Sequence, residues 1–211
     1  MRRFKLWASA VLVLAVIVAG SWAVWNFELR WRPKTITRHQ AEITNLLQSA
    51  GWVSPGLPGK KLYMVSYRNC PECIRFKLEE VPKLSAKNVD SRVIEIARRD
   101  VNGLTNSTAA ERATVAQLWI TRSWKLMQAW EAVPADAWTA PGIPRADGDM
   151  ARTAVVESGR NLVDRLQPLL KDNGINFAYP TLIWWNDKGE MRGCACERRE
   201  TYRFVRRELG A

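Results

Sequence analysis

Apolar residues change their period several times along this chain, and each change marks an element. Residues 6–27 carry no charge and are long enough to cross a bilayer of roughly 30 Å as a helix. Ile43, Leu46 and Leu47 share one side of a short helix expected over 37–50, which Gly51 stops. The turn-rich run 54–59 follows, then an apolar strand over 62–67. Beyond it, Ile74, Leu78 and Val81 recur at helical spacing, which predicts a helix laying that face on a sheet, kinked or ended by Pro82. β-Branched residues over 92–97 predict a second strand.

A long helical pattern then occupies 106–133, including Ala113, Ala116, Leu118, Trp119, Trp124, Leu126, Met127 and Trp130. Prolines, glycines and acidic residues break it over 134–149. A further helix is expected over 151–171, ending near Asn173 and Gly174, with Pro168 as a kink inside it. Residues 179–185 read as a strand, 186–189 as a tight turn, and 190–192 as the start of the returning strand. Tyr202, Val205 and Leu209 give a last helix one apolar face, with its arginines, Glu200 and Glu208 facing water.

Length and charge bound the organisation. The 211 residues divide into an expected membrane anchor at 1–27, a linker with a short helix at 28–60, and one domain at 61–211. Arg2, Arg3 and Lys5 before the apolar span place the N-terminus in the cytoplasm and export the rest. A cleaved signal peptide is the rival reading, with small residues at 18–20 or 21–23 as cleavage points. The anchor is preferred because apolar character continues through Trp22, Val24, Trp25 and Phe27, and tryptophan suits a membrane interface. Both readings place the domain where disulfides persist.

A net charge of +11 invites a nucleic-acid reading, but the basic residues are scattered in short clusters such as Arg98-Arg99 and Arg206-Arg207. No nucleic-acid partner is expected. Eleven tryptophans are assigned to packing and interfaces. His39, the single histidine, lies on the linker helix and is expected to face solvent.

Cys70-Pro71-Glu72-Cys73 falls between the strand at 62–67 and the helix after it. A thiolate attacks a disulfide, and a second thiol must then displace the product from the mixed disulfide. One helical turn supplies that reach. At a helix N-terminus, unpaired N–H groups and the macrodipole stabilise the first thiolate. Pro71 fits the first turn, which has no N–H bond to lose. Half of a zinc site is the competing reading, and the strand-then-helix context favours redox chemistry.

With Tyr179-Pro180-Thr181 ahead of the hairpin and the order β-α-β, helices, β-β-α, these motifs resemble the thioredoxin superfamily. Within it the chain is most similar to the exported Dsb proteins, and closest to the catalytic domains of the DsbC and DsbG disulfide isomerases. The resemblance covers 61–209 and implies an α/β thioredoxin-like fold with a helical insertion at about 106–171. It implies Cys70 as the attacking thiol, Cys73 as the resolving one and Pro180 as a cis-proline. It also assigns Tyr179, Pro180 and Thr181 to substrate binding. Pro71 and Glu72 would tune the thiol pKa. An acid there disfavours the thiolate, while Arg68, Arg75 and Lys77 act in the opposite sense. A dominant Glu72 would make the couple more reducing.

Cys194 and Cys196 lie where the returning strand meets the last helix. Three readings stay open: a second redox pair exchanging with the first, a zinc or Cu(I) ligand set, and a structural pair or unremarkable thiols. In an extended strand, residues two apart sit roughly 6.5–7 Å apart, so a bond between them needs a bend.

The sequence therefore predicts a single-pass bacterial inner-membrane protein with a periplasmic thiol-disulfide oxidoreductase domain of reductase or isomerase type. It needs no cofactor. Protein disulfides are the expected substrates, and a membrane or periplasmic redox partner is expected to reset the dithiol. The stretch before the first strand leaves no room for the isomerases' dimerisation domain, so a monomer is expected. A copper- or zinc-binding chaperone and a noncatalytic accessory subunit of a membrane complex are the alternatives.

Overall fold

Side chains alternate across a strand, so each strand of one sheet feeds two cores. The computed structural model describes residues 2–211. Among the described residues, strands β1 (Lys34–Thr35), β2 (Lys61–Ser66), β3 (Asp90–Glu95), β4 (Thr181–Trp185) and β5 (Met191–Ala195) form one sheet in the order β1-β5-β4-β2-β3. β2 and β3 run parallel, and the other neighbours are antiparallel. The helices are α1 (Arg2–Val24), α2 (Gln40–Ser49), α3 (Pro71–Glu79), α4 (Val81–Ser85), α5 (Ala109–Thr121), α6 (Trp124–Glu131), α7 (Met150–Lys171) and α8 (Arg199–Leu209).

Tyr63, Val65, Ile94 and Ile183 point to one face of the sheet, where α2 contributes Ile43, Leu46 and Leu47 and α7 contributes Leu162, Leu166 and Leu170. Leu62, Met64, Leu182 and Trp184 point to the other face. There they meet Phe76 of α3, Leu84 of α4, and Tyr202, Val205 and Leu209 of α8. α5 and α6 build a third cluster, with Val115, Leu118, Met127 and Trp130 around Val93 and Ala97. The result is a mixed α/β architecture, consistent with the thioredoxin-like fold expected from the sequence.

The chain divides into two compact units between Arg32 and Pro33. The first holds α1 and a π-helical turn, Trp25–Leu29, after which the Arg30 N–H donates to the Trp25 carbonyl at 2.9 Å. Val13, Leu14, Val16, Ile17 and Val18 are exposed on α1. Among the described residues no helix is long and apolar enough to cross a membrane. The side chains of Arg2, Arg3 and Lys5 lie outside the described residues.

Several elements differ from expectation for local reasons. The stretch at 106–133 is two helices, because Arg122 turns left-handed at φ 52° and Ser123 caps α6 by accepting the Leu126 N–H at 3.2 Å. β3 begins two residues early, since Asp90 and Ser91 are polar yet buried and paired with Lys61 and Leu62. β4 begins at Thr181, not residue 179. α7, by contrast, ends at Lys171 with Pro168 inside it, as expected.

The apolar stripe expected on α3 is not the buried one. Ile74 is 43% and Leu78 73% exposed, whereas Cys70, Cys73, Phe76 and Glu80 are buried. Those four recur at three- to four-residue spacing, so the cysteines set the rotation of the helix. Glu208 likewise does not face water: it accepts from Trp184 Nε1 at 3.1 Å and from Arg192 Nη2 at 2.9 Å. Within the stretch read as a linker, Ile36, Ile43, Leu46, Leu47 and Val53 are core residues. β1 adds a two-residue edge to β5, too short for its alternation to register in sequence.

Candidate active site

β2 delivers the chain to the dithiol and α3 carries it away. Cys70 is the N-cap of α3, with Pro71 in the first turn, and its Sγ accepts the Cys73 N–H at 3.0 Å. The Cys70 carbonyl accepts the Ile74 N–H at 3.0 Å, and the Cys70 N–H donates to the Tyr67 carbonyl at 3.2 Å. Cys70 and Cys73 form a disulfide across a Cα separation of 5.1 Å. A donor and a helix N-terminus are thus already placed at the sulfur that would carry negative charge on reduction.

The Tyr179–Pro180 peptide bond is cis, as the resemblance implies. Tyr179 meets Tyr67 edge to face at 5.0 Å and Phe177 at 5.1 Å, with Arg98 stacked 3.9 Å from the Tyr67 ring centre. Burial pushes the Tyr179 phenol above its ordinary value against the opposing pull of Arg98. Thr181 is buried, donating its hydroxyl to the Ala178 carbonyl at 2.6 Å. The structure therefore brings Tyr67, three residues before the first cysteine, against Tyr179.

Period-two alternation decides where the second cysteine pair points. Cys194 pairs with Leu182 across the β4–β5 hairpin and faces the same core as α3. Cys196 follows two residues later, and its N–H donates to the Pro180 carbonyl at 2.8 Å. Cys194 and Cys196 are themselves a disulfide, with Cα atoms 5.2 Å apart, so the chain bends at the end of β5 as such a bond requires. All four cysteines are buried in one hydrophobic cluster with Leu62, Met64, Phe76 and Trp184. Among the described residues no group of three or more His, Cys, Asp or Glu is placed to hold a metal.

Charges near the dithiol are paired more completely than the sequence suggests. Glu72 and Arg75 approach to 3.8 Å, each side chain about one-third exposed. Arg68, expected to favour the thiolate, instead donates to the Trp130 carbonyl at 2.6 Å and to that of Val133, closing the end of α6. Lys77 bonds Glu95 at 2.7 Å and Glu131 at 2.6 Å, tying α3 to β3 and α6. Burial works to lower the Lys77 pKa, but the two carboxylates outweigh it and raise it.

Sequence reasoning missed this buried polar cluster. Ser66 donates to Glu95 Oε1 at 2.9 Å, while Oε2 of Glu95 has no hydrogen-bond partner. Glu111 on α5 lies near enough to be coupled to it, and burial together with the Glu95 charge raises its pKa to about 7. An acid inside the apolar run Val93, Ile94, Ile96, Ala97 is the signal that could have marked Glu95. The Thr108-x-x-Glu111 spacing marks Glu111 as a first-turn acid of α5, but not as a buried one. His39 is exposed, with Nε2 3.1 Å from Asp172 Oδ2. Beside α3 lies an open groove of about 390 Å³, lined by Asn69, Ile74, Leu78, Val133 and Pro134 among others.

No family model matches the chain, and no curated protein does. Among solved structures it is similar to BcfH of Salmonella enterica Typhimurium, 17% identical with a TM-score of 0.41 over 87% of this chain and 76% of that one. It is also similar to a thioredoxin-like oxidoreductase from Silicibacter pomeroyi DSS-3, 20% identical with a TM-score of 0.37 over 79% of this chain and 96% of that one. Scores of this size leave the chain's own geometry as the ground for its function.

Proposed function

We propose that this chain is a membrane-anchored, exported thiol-disulfide oxidoreductase of reductase or isomerase type that acts on protein disulfides. One observation carries the reading: a Cys70–Cys73 disulfide at the N-terminus of α3, with the Cys73 N–H donating to Cys70 Sγ. In the reduced protein the Cys70 thiolate attacks a substrate disulfide, forming a mixed disulfide and releasing one substrate thiolate, which takes a proton. Cys73, deprotonated, then attacks Cys70 Sγ. The Cys70–Cys73 bond forms, the mixed disulfide breaks, and the second substrate sulfur leaves as a thiol. Two electrons pass from the dithiol to the substrate.

Tyr179, Pro180 and Thr181 hold the substrate segment beside the dithiol in this reading, and Pro71 and Glu72 set the thiol chemistry. The apolar groove along Ile74 and Leu78 gives an unfolded or misfolded chain a surface to lie on. In this reading the uncharged run 6–27 is the anchor in the bacterial inner membrane, and the basic residues before it leave the domain in the periplasm. A membrane or periplasmic redox partner resets the dithiol.

Reduction of insulin and reactivation of scrambled ribonuclease by the full chain test the activity. Both are expected to proceed with the native protein and to fall to background with Cys70→Ser. Activity that persists in Cys70→Ser would refute the assignment.

A further inference from the structure

We infer that Cys194–Cys196 is a second redox centre that exchanges electrons with Cys70–Cys73 inside one chain. This rests on the oxidoreductase reading and deepens it, giving the route by which electrons from the redox partner reach the first pair. The two disulfides are more than 100 residues apart in sequence, yet all four cysteines lie in a single hydrophobic cluster. The contacts between the pairs are continuous. Cys196 bonds the Pro180 carbonyl, the preceding Tyr179 packs edge to face on Tyr67, and the Tyr67 carbonyl accepts the Cys70 N–H.

A structural role suits the second bond poorly. A sequence separation of two closes one of the smallest loops a disulfide can close. Such a loop removes little entropy from the unfolded chain, so the bond contributes little to stability. Exchange chemistry needs no long loop. It needs two disulfides with a shared approach, and alternation along β5 turns Cys194 towards the core that α3 covers. The direction of exchange follows from the first pair being the one that substrate leaves oxidised.

The step balances without a cofactor. After substrate reduction the first pair is a disulfide. A thiolate of the reduced second pair attacks it, an interpair disulfide forms, and the Cys70–Cys73 bond breaks, leaving one thiolate that takes a proton. The remaining thiol of the second pair loses its proton and displaces the interpair bond. Cys194–Cys196 is then the disulfide, and Cys70 and Cys73 are both reduced. Two electrons have moved, and an external dithiol, protein or small molecule, restores the second pair by the same exchange.

The test uses the full chain, fully oxidised, treated with one equivalent of dithiothreitol, quenched in acid at intervals and mapped by thiol alkylation and mass spectrometry. Reduced Cys194 and Cys196 are expected to appear first and to decline as reduced Cys70 and Cys73 rise, at a rate unchanged over a tenfold range of protein concentration. Four variants that keep one cysteine of each pair, checked for folding by circular dichroism, are expected to include at least one that forms the interpair disulfide in a monomer. Exchange of Cys70–Cys73 with dithiothreitol but no redistribution, or a rate proportional to concentration, overturns the relay and leaves the oxidoreductase standing. If Cys70–Cys73 exchanges with neither dithiothreitol nor the second pair, the relay and the underlying reading fail together.

Discussion

Lys77 on the dithiol helix reaches Glu95 at the end of β3, Nζ to Oε1 at 2.7 Å, and Glu95 is 1% exposed at its side chain. A carboxylate this deep is tolerated because the ammonium and the Ser66 hydroxyl answer it. Removing one partner leaves an uncompensated charge. Lys77→Met is therefore expected to lower unfolding free energy by about 3–5 kcal/mol in urea denaturation, and Lys77→Met with Glu95→Gln to recover most of it. Equal loss in the single and double variants would show that Lys77 acts through packing alone.

Glu111 gives stability a pH dependence. Its folded pKa of about 7 lies above the ordinary 4.5, because burial and Glu95 disfavour the charged form while Arg98 and Arg68 oppose them. Between those values the folded state binds more protons than the unfolded one, so this group makes stability fall as pH rises from about 4.5 to about 7. The contribution is about 3 kcal/mol across the window. Glu111→Gln is expected to flatten the profile there by that amount, read from urea midpoints at several pH values. An unchanged slope would mean that another group titrates in that range.

Glu72 and Arg75 are expected to move the redox potential in opposite directions. Glu72→Gln removes negative charge near the dithiol and frees Arg75, which stabilises the thiolate and hence the reduced form. The Cys70–Cys73 couple should become more oxidising by roughly 5–20 mV, the scale of an exposed pair, and Arg75→Gln should make it more reducing. Titration against glutathione checks both signs. Shifts of the same sign would refute the charge argument.

Tyr179 contributes two edge-to-face ring contacts, each worth about 0.5–1.5 kcal/mol beyond area burial. Tyr179→Ala is expected to lower stability by about 2–4 kcal/mol and to raise KM for insulin reduction. Tyr179→Phe keeps the rings and should change both little. A large effect of Tyr179→Phe would assign the role to the hydroxyl instead.

The strand-dithiol-helix segment is legible in the sequence because Leu62, Met64 and the Cys-Pro-Glu-Cys run impose both local structure and chemistry. The hairpin is legible for the same reason, its turn residues lying between two apolar runs. What is hidden depends on distant partners. Nothing local says that Arg68 closes α6 or that Lys77 meets Glu95, because those pairings follow from how the inserted helices dock. The exposed faces of Ile74 and Leu78 are hidden for a different reason: two cysteines outweigh two larger aliphatic residues in setting how α3 rolls. The approach of Cys196 to Pro180 is set by β4–β5 register, which alternation alone leaves unspecified.

The most direct test of the central claim is a redox titration of the full chain in glutathione buffers after chelation, with mass-tagging to assign each thiol. The account predicts a reversible Cys70–Cys73 couple with a defined potential, nearer the thioredoxin value of about −270 mV than the DsbA value of about −120 mV. A Cys70–Cys73 bond that fails to exchange, or thiols that stay protected only while metal is present, would contradict it.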